Sequence, residues 1–285
     1  MIAYIRQALQ GHYTSGEASA LSRLILTEIF RINPIDIYMG KDISLSPEEQ
    51  SHLDAIINRL LQDEPIQYIL GYADFCGLRF AVNHHVLIPR PETTELIETI
   101  LQDHPTPPES VLDIGTGSGC IPITLSHHWP QSRAHAWDIS TEALETAETN
   151  NRHLHTQVTF RQCDILQPIE NYDTLEAPFN LIVSNPPYIK ACEKQEMERN
   201  VLDWEPHLAL FVPDEDPLLF YRTIIGQATS GLLSPGGWLY FEINREHGKE
   251  IIQLMHDCGF VQTKLIKDLS GNDRIIKGMW PKESV

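Results

Sequence analysis

The fold is indicated first by Phe179-Asn180-Leu181-Ile182-Val183, an apolar run followed at once by Ser184-Asn185-Pro186-Pro187-Tyr188-Ile189. A run of this length predicts a buried strand, which the two prolines end because they have no N–H to donate. The polar tetrapeptide is therefore expected at the carboxyl end of a strand. In open α/β sheets, this is the edge where ligands bind.

The tetrapeptide Asn185-Pro186-Pro187-Tyr188 is suited to holding an NH2 group. The side-chain oxygen of Asn185 and the rigidly placed carbonyl of Pro186 can accept its two N–H bonds. Such a grip favours a pyramidal nitrogen, and Tyr188 can stack on the planar group and exclude water. The alternative is a proline turn that only ends a strand.

A second motif, Val111-Leu112-Asp113-Ile114-Gly115-Thr116-Gly117-Ser118-Gly119-Cys120, predicts a strand that enters a glycine-rich turn and then a helix. Glycines allow close backbone approach, and a helix N-terminus presents free N–H groups. The spacing departs from the dinucleotide pattern Gly-x-Gly-x-x-Gly, and no Gly-Lys-Ser/Thr of a P-loop follows. The turn is therefore a candidate cofactor loop of another type.

Acidic residues follow two further predicted strands. Asp138 ends the strand at residues 134–137, about 20 residues beyond the glycines, where an acidic side chain meets ribose hydroxyls. Asp164 and Ile165 follow the strand at residues 158–160, where they could bind an adenine amine and cover its ring. A surface carboxylate is the alternative for Asp138. For Asp164 and Ile165, the ordinary and the functional interpretations both stay open.

Composition limits the partners. The chain has 285 residues with 21 basic and 39 acidic side chains, which gives a net charge of −18. Affinity for a phosphate backbone comes from Lys and Arg, so direct nucleic-acid binding is not expected. The five cysteines show no disulfide or zinc spacing. We expect a cytoplasmic protein with no metal, no signal peptide and no membrane span.

The N-terminal part has a different character. Residues 1–62 are predicted to be helical, with a capping box at Ser46-Pro47-Glu48-Glu49. Next, Gln67–Gly71 and Phe75–Val82 are predicted to form a β-hairpin. Arg90 and Glu92 follow, held in place by flanking prolines, and their ordinary interpretation is a linker ion pair with helix capping. Later in the chain, Gly236-Gly237 is predicted to form a turn that leads into a core strand at Trp238–Glu242.

The four features in order, the glycine loop, Asp138, Asp164 and Asn-Pro-Pro-Tyr, resemble the S-adenosylmethionine-dependent amino-methyltransferases. Some of these methylate adenine, and one branch methylates a protein glutamine. Three stretches decide the branch: Gln67-Tyr68-Ile69-Leu70-Gly71, Leu87-Ile88-Pro89-Arg90-Pro91-Glu92-Thr93 and Asp268-Leu269-Ser270-Gly271-Asn272-Asp273-Arg274. With them, nearly the whole chain is similar to the PrmC/HemK family of release factor glutamine methyltransferases.

The resemblance implies an α/β fold, a Rossmann-like class I methyltransferase sheet with a small N-terminal helical domain and a β-hairpin linker. The domains would be a helical substrate-recognition domain (1–62), the linker (63–90) and the methyltransferase domain (91–285). Two positions depart from the family pattern: Thr94 stands in place of an acidic residue and Ile165 in place of an aromatic one.

The resemblance also implies methyl transfer to N5 of the glutamine in the Gly-Gly-Gln loop of release factors 1 and 2, by a monomer. Asn185, Pro186 and Tyr188 would be catalytic, and with Pro187 they would bind the substrate. The cofactor S-adenosylmethionine, which leaves as S-adenosylhomocysteine, would be held by Gly115, Thr116, Gly117, Ser118, Gly119, Asp138, Asp164, Ile165 and Asn185.

Two alternatives remain open from the residues. The first is an adenine-N6 methyltransferase acting on DNA or RNA, because Asn-Pro-Pro-Tyr cannot by itself distinguish an adenine amine from a carboxamide. The acidic charge and the linker and late motifs argue against it. The second is a catalytically silent cofactor-binding or assembly protein, which the two intact motifs disfavour.

Overall fold

The computed structural model describes residues 1–169 and 176–282. Within them the chain forms two compact units, one of Met1–Tyr72 with Glu198–Trp204, the other of Ala73–Met197 with the residues from Glu205 onward. Residues 170–175 and 283–285 of the expected methyltransferase domain lie outside the described part.

Helices and strands alternate between residues 91 and 162, and the later part of the chain combines both without strict alternation. The helices are α1 (Ile2–Ala8), α2 (Ser15–Leu24), α3 (Pro34–Tyr38), α4 (Pro47–Leu60), α5 (Ile66–Leu70), α6 (Pro91–Asp103), α7 (Cys120–His128), α8 (Thr141–His153), α9 (Arg199–Leu202), α10 (His207–Leu210), α11 (Leu219–Gln227) and α12 (Gly248–Asp257). The strands are β1 (Tyr72–Phe75), β2 (Leu78–Ala81), β3 (Ser110–Ile114), β4 (Arg133–Asp138), β5 (Val158–Gln162), β6 (Phe179–Ser184), β7 (Ile189–Lys190), β8 (Phe211–Val212), β9 (Leu233–Glu242), β10 (Val261–Lys267) and β11 (Asp273–Met279). Among the described residues, none of the helices has the length and apolar character needed to span a bilayer.

The first unit is a small helical bundle. Capping boxes start two of its helices, at Thr14 with Glu17 for α2 and at the predicted Ser46 with Glu49 for α4. Each box satisfies backbone N–H groups that a helix start leaves without partners. Its core is formed by aliphatic side chains that are almost fully buried, among them Ile5, Leu26, Leu53, Ile56 and Leu60.

The predicted hairpin begins later than expected. Assigning Gln67–Leu70 to a strand is wrong, because these residues belong to the helix α5. Pro65 occupies its N-cap, and Gly71 ends it with a φ of +79°, a left-handed conformation that suits glycine. The hairpin itself consists of β1 and β2, as the sequence indicated for the residues around Gly77.

The second unit is built on a seven-stranded sheet in the order β10-β11-β9-β6-β3-β4-β5. The strands from β9 to β5 are parallel, and β11 pairs antiparallel with both β9 and β10. From β3 the chain first adds strands on one side and then returns to β6 on the other. The order therefore reverses between β3 and β6, and such a reversal opens a crevice at the carboxyl ends of the strands.

The sheet is buried on both faces. Leu112, Ile114 and Ile182 belong to one core cluster, whereas Val111, Leu181 and Val183 belong to another. Because successive side chains of a strand point to opposite faces, these two central strands contribute to both clusters. This is why β6 appears in the sequence as a continuous apolar run.

The glycine pair Gly236-Gly237 lies inside the bounds of β9, and regular pairing of β9 with β6 resumes at Trp238, where the predicted core strand begins. They coincide with an irregularity in the pairing of β9 with β6. A Cβ on Gly237 would lie 2.9 Å from the carbonyl oxygen of Asn180. It would also lie 2.8 Å from Cδ1 of Leu233 and from the carbonyl oxygen of Ser234, so both the local fold of β9 and the approach of β6 require glycine there.

Candidate active site

The strand register brings four chain segments to one edge of the sheet. Ile114 of β3 pairs with Trp137 of β4 and with Ser184 of β6, and Ser184 pairs with Phe241 of β9. The residues that follow these four are Gly115, Asp138, Asn185 and Glu242. The two sequence motifs therefore meet at the point where the strand order reverses.

The glycine loop is folded tightly against the end of β4. The N–H groups of Gly115 and Thr116 both donate to the carbonyl oxygen of Trp137, at 2.8 and 3.1 Å. Gly115, Gly117 and Gly119 have φ values of +77°, +54° and +78°. Side chains rarely adopt this left-handed region, so the loop conformation depends on glycine.

Asp138 holds the loop and keeps free acceptor capacity. Its Oδ2 accepts the N–H of Gly117 at 2.8 Å, and its Oδ1 accepts the N–H of Ser140 at 3.0 Å. A carboxylate has about four acceptor positions, so each oxygen can still accept a ligand hydroxyl. Burial raises the pKa of Asp138, and the backbone N–H bonds partly offset this effect.

Asp164 and Ile165 lie beyond the end of β5. Asp164 accepts hydrogen bonds from the backbone N–H of Leu166 at 3.0 Å and from the side chain of Gln167 at 3.2 Å. Ile165 is buried and packs in the core cluster. The acidic side chain therefore shapes a local turn, and the isoleucine provides an apolar wall.

A cavity of about 290 Å³ opens at this edge. Its volume is near the lower end of the ~300–1,000 Å³ typical of small-molecule sites. Among the residues singled out from the sequence, the cavity is lined by residues 115–118, Asp138, Asp164, Ile165 and residues 185–187.

Two of the expected residues do not line the cavity. Gly119 lies at the N-cap of α7, where a Cβ would be 2.9 Å from Cδ1 of Ile123 and 3.1 Å from Cβ of Ala147. Tyr188 packs against the core cluster, and burial raises the pKa of its phenol to about 12. Glycine at position 119 is therefore required by close packing of α7 against α8.

Asn185 is held from behind by a chain of side-chain hydrogen bonds. Its Nδ2 donates to Oγ1 of Thr93 at 3.5 Å, and that hydroxyl donates to Oε2 of Glu242 at 2.7 Å. Thr93 and Glu242 are almost fully buried, with exposed fractions of 2% and 1%. Within the described residues, Oδ1 of Asn185 has no hydrogen bond.

Glu242 is surrounded by charge. Burial raises its pKa to about 7, and the Thr93 hydroxyl bond and the positive charges of Arg274 and Arg90 act against that increase. Arg274 is in turn held by Asp268, with Nε 3.2 Å from Oδ2. The late motif at residues 268–274 thus places a guanidinium near the end of β9.

The ion pair expected between Arg90 and Glu92 is replaced by another. Arg90 binds Glu205, with Nη2 2.5 Å from Oε1, and Oε2 of Glu205 accepts the N–H of Ile88 at 3.1 Å. Arg90 is the N-cap residue of α6, but its side chain makes no capping bond. The pair connects the segment before α6 to the segment before α10, and both segments line the cavity.

Asp113 lies beneath the glycine loop rather than in the cavity. It is fully buried in β3, and burial raises its pKa to about 7. Neither of its oxygens has a hydrogen-bond partner among the described residues, and the hydroxyls of Thr116 and Ser118 are also buried without one. The carboxyl group of Asp113 is therefore enclosed next to the glycine loop.

Thr93, Glu242 and Glu205 are site residues that the sequence motifs did not predict. Glu242 carries the same signal as Asp138, an acidic residue that directly follows an apolar core strand. Thr93 and Glu205 have no such local signal, because their importance comes from partners 149 and about 115 residues away. Within the described residues, no group of three or more His, Cys, Asp or Glu side chains is placed to hold a metal ion.

Comparisons with known proteins agree with this geometry. Residues 1–71 match the PrmC N-terminal domain model and residues 92–203 the methyltransferase small domain model. A release factor glutamine methyltransferase of Bacteroides thetaiotaomicron is 52% identical over 96% of this chain and 97% of its own length. The protein of the same name from Flavobacterium psychrophilum is 42% identical over 95% of each chain.

A methyltransferase from Pyrococcus furiosus has a similar structure, with a TM-score of 0.54 at 18% identity over 79% of this chain and 97% of that one. This likeness concerns the fold alone. Together with the domain models, it confirms the α/β, Rossmann-like methyltransferase sheet expected from the sequence.

Proposed function

This chain belongs to the release factor glutamine methyltransferase family, and we propose that it transfers a methyl group from S-adenosylmethionine to N5 of the glutamine in the Gly-Gly-Gln loop of release factors 1 and 2. The observation that carries the proposal is the position of Asn185 and Pro186. They line the same cavity as the glycine loop and Asp138, so an amide and a cofactor can meet there. This substrate implies that the enzyme acts in the cytoplasm.

The residues of the cavity fit S-adenosylmethionine, which supplies an electrophilic methyl group and leaves as S-adenosylhomocysteine. Asp138 has acceptor capacity for ribose hydroxyls, and the loop of residues 115–119 offers close backbone approach. Ile165 provides an apolar surface for the adenine ring, and Asp164 keeps lone pairs for its amine.

Positioning is the main contribution that we assign to the protein. The oxygen of Asn185 and the carbonyl of Pro186 accept the two N–H bonds of the glutamine amide, which directs the nitrogen lone pair away from them. Tyr188 packs against the core cluster, so its proposed role is to anchor the tetrapeptide rather than to cover the amide. Correct placement of reacting groups is worth effective molarities of ~10⁵ M or more. The proton leaves the nitrogen for solvent after transfer, because methylation makes the nitrogen acidic.

The test is transfer of tritiated methyl from S-adenosylmethionine to purified, unmethylated release factor 1 or 2. A release factor with Gln→Ala in its Gly-Gly-Gln loop and an adenine-containing duplex are the parallel acceptors. We expect label on the intact factor alone. Label on the duplex alone would overturn the protein-glutamine assignment and favour an adenine methyltransferase.

The role of Asn185 gives a direct prediction. Asn185→Ala should lower kcat on the release factor about 100-fold, since the nitrogen loses one of its two positioning bonds. Binding of S-adenosylhomocysteine, measured by calorimetry, provides the control for an intact cofactor site. Gln253→Ala removes an exposed amide side chain of α12 and should change neither quantity. Near-normal turnover of Asn185→Ala would contradict the positioning role.

A further inference from the structure

The side-chain amide of Asn185 has two possible orientations, and only one supports the proposed reaction. With its oxygen toward the cavity, it accepts an N–H of the substrate amide. With its NH2 toward the cavity, it would place a donor against a donor. Since NH2 and oxygen have nearly the same shape, packing alone does not choose between them.

Hydrogen-bond donors and acceptors behind Asn185 make the choice. The hydroxyl of Thr93 has one proton, which it donates to Glu242 at 2.7 Å. Its oxygen can therefore only accept from Asn185. That requirement turns Nδ2 of Asn185 toward Thr93, as the 3.5 Å contact shows, and leaves Oδ1 for the cavity.

We propose that Thr93 and Glu242 are positioning residues that hold the Asn185 amide with its oxygen toward the substrate nitrogen. Both are buried beneath the cavity, where an unpaired hydroxyl or carboxylate is costly, so the arrangement is maintained while Glu242 is ionised. The inference rests on the proposed function, because it assumes an NH2 group as the acceptor.

The direction of the hydrogen bonds that link Glu242, Thr93 and Asn185 depends on the charge of Glu242. An ionised carboxylate only accepts hydrogen bonds, whereas a protonated one can donate to Thr93 and free the hydroxyl to donate to Asn185. The second state would turn the NH2 of Asn185 toward the substrate. The charged or titratable groups that face Glu242 are Arg90 and Glu92 before and in α6, Cys120 of α7, Tyr188 after β6, Tyr221 of α11 and Arg274 of β11.

The pH dependence of kcat follows from this. Because burial raises the pKa of Glu242 to about 7, the wild-type kcat should fall as the pH decreases through this range. Thr93→Val breaks the connection between Glu242 and Asn185. Its kcat should therefore be low and should lose this acid limb.

The decisive measurement compares Thr93→Val, which matches threonine in shape, with Thr93→Ser, which keeps the hydroxyl. We expect Thr93→Val to lower kcat about tenfold, as one net hydrogen bond warrants, and to leave KM within about twofold. Thr93→Ser should restore most of kcat. Thr99→Val, further along α6, is the matched control and should behave as wild type.

A double-mutant cycle separates positioning from a general structural role. In an Asn185→Ala background, Thr93→Val should have no further effect on kcat, because the residue through which it acts is gone. Additive losses would overturn the proposal, as would an unchanged acid limb in Thr93→Val. Melting temperature and the dissociation constant of S-adenosylhomocysteine detect a variant that has simply lost its fold.

The cycle is measured on whichever acceptor the wild-type enzyme labels, since a glutamine amide and an adenine amine both present an NH2 group. Label on the duplex with a non-additive cycle would overturn the substrate assignment and support the positioning role. Label on the release factor with an additive cycle would support the substrate assignment and overturn the positioning role. Label on neither acceptor would overturn both.

Discussion

At the scale of single residues, the second unit encloses carboxylates whose environments differ. Asp138 receives two backbone N–H bonds, and Glu242 receives the hydroxyl of Thr93. Asp113 has no well-formed hydrogen bond among the described residues, although the nearby Thr116 hydroxyl partly opposes the rise in its pKa. A buried carboxyl without hydrogen bonds takes up a proton more readily, which is why burial raises its pKa to about 7.

Asp113 should therefore make stability depend on pH. Its pKa is about 7 in the fold and 3.8 without burial, so the folded state binds the proton more tightly. The stability associated with the neutral form is fully present below pH 3.8 and is lost as the pH rises through 7. Asp113→Asn cannot ionise and should escape this loss.

Urea unfolding at pH 5.5 and pH 8 tests the prediction. From pH 5.5 to pH 8, the wild type should lose about 2 kcal/mol of unfolding free energy relative to Asp113→Asn. The exposed carboxylate of Glu148 provides the comparison, and Glu148→Gln should show no such change. An Asp113→Asn difference that does not vary with pH would refute the explanation.

At the scale of elements, the glycine loop combines two different demands. Gly117 adopts a left-handed φ of +54° in open space, whereas Gly119 has a φ of +78° and is in close contact with α7 and α8. The sequence predicted the loop between β3 and α7, because apolar runs and glycine spacing are local signals. Which glycine is required for conformation alone and which also for packing depends on neighbours that the spacing does not reveal.

Alanine substitutions should separate the two demands. Gly117→Ala should cost about 1 kcal/mol of unfolding free energy, the strain of a left-handed residue. Gly119→Ala should cost about 3 kcal/mol, because its Cβ must also displace Ile123 and Ala147. Urea unfolding of both variants measures the difference. Equal losses would mean that the contact with α8 relaxes without cost.

Two segments differ from the secondary structure that their local sequence patterns predict. Gln67–Leu70 contains tyrosine and isoleucine and resembles a strand, yet Pro65 and Gly71 limit it to a helical turn. Gly236-Gly237 resembles a turn between elements but lies inside β9, at a jump in its pairing with β6, where Leu233, Ser234 and Asn180 leave no room for a side chain at position 237. In both cases the decisive influence lies outside the residues that form the pattern.

At the scale of the whole molecule, the charge of −18 is the dominant property. It opposes approach to a phosphate backbone and favours a basic protein partner. We expect no measurable binding of a labelled adenine-containing duplex in fluorescence anisotropy at 150 mM salt. At 50 mM salt the result should be the same, and affinity that rises steeply as salt decreases would reveal a basic groove that contradicts the expectation.

The sequence by itself determined the strands that carry the site, the two motifs at their ends, the family and the acidic charge. These properties follow from residue types and from spacings of a few residues, so interactions between neighbours along the sequence are enough to indicate them. Only the tertiary structure decided that Thr93 and Glu242 stand behind Asn185, that Arg90 pairs with Glu205, and that Tyr188 faces the core. These contacts join residues about 90 to 150 positions apart, and they exist because strand order and register bring the ends of β6 and β9 and the start of α6 together.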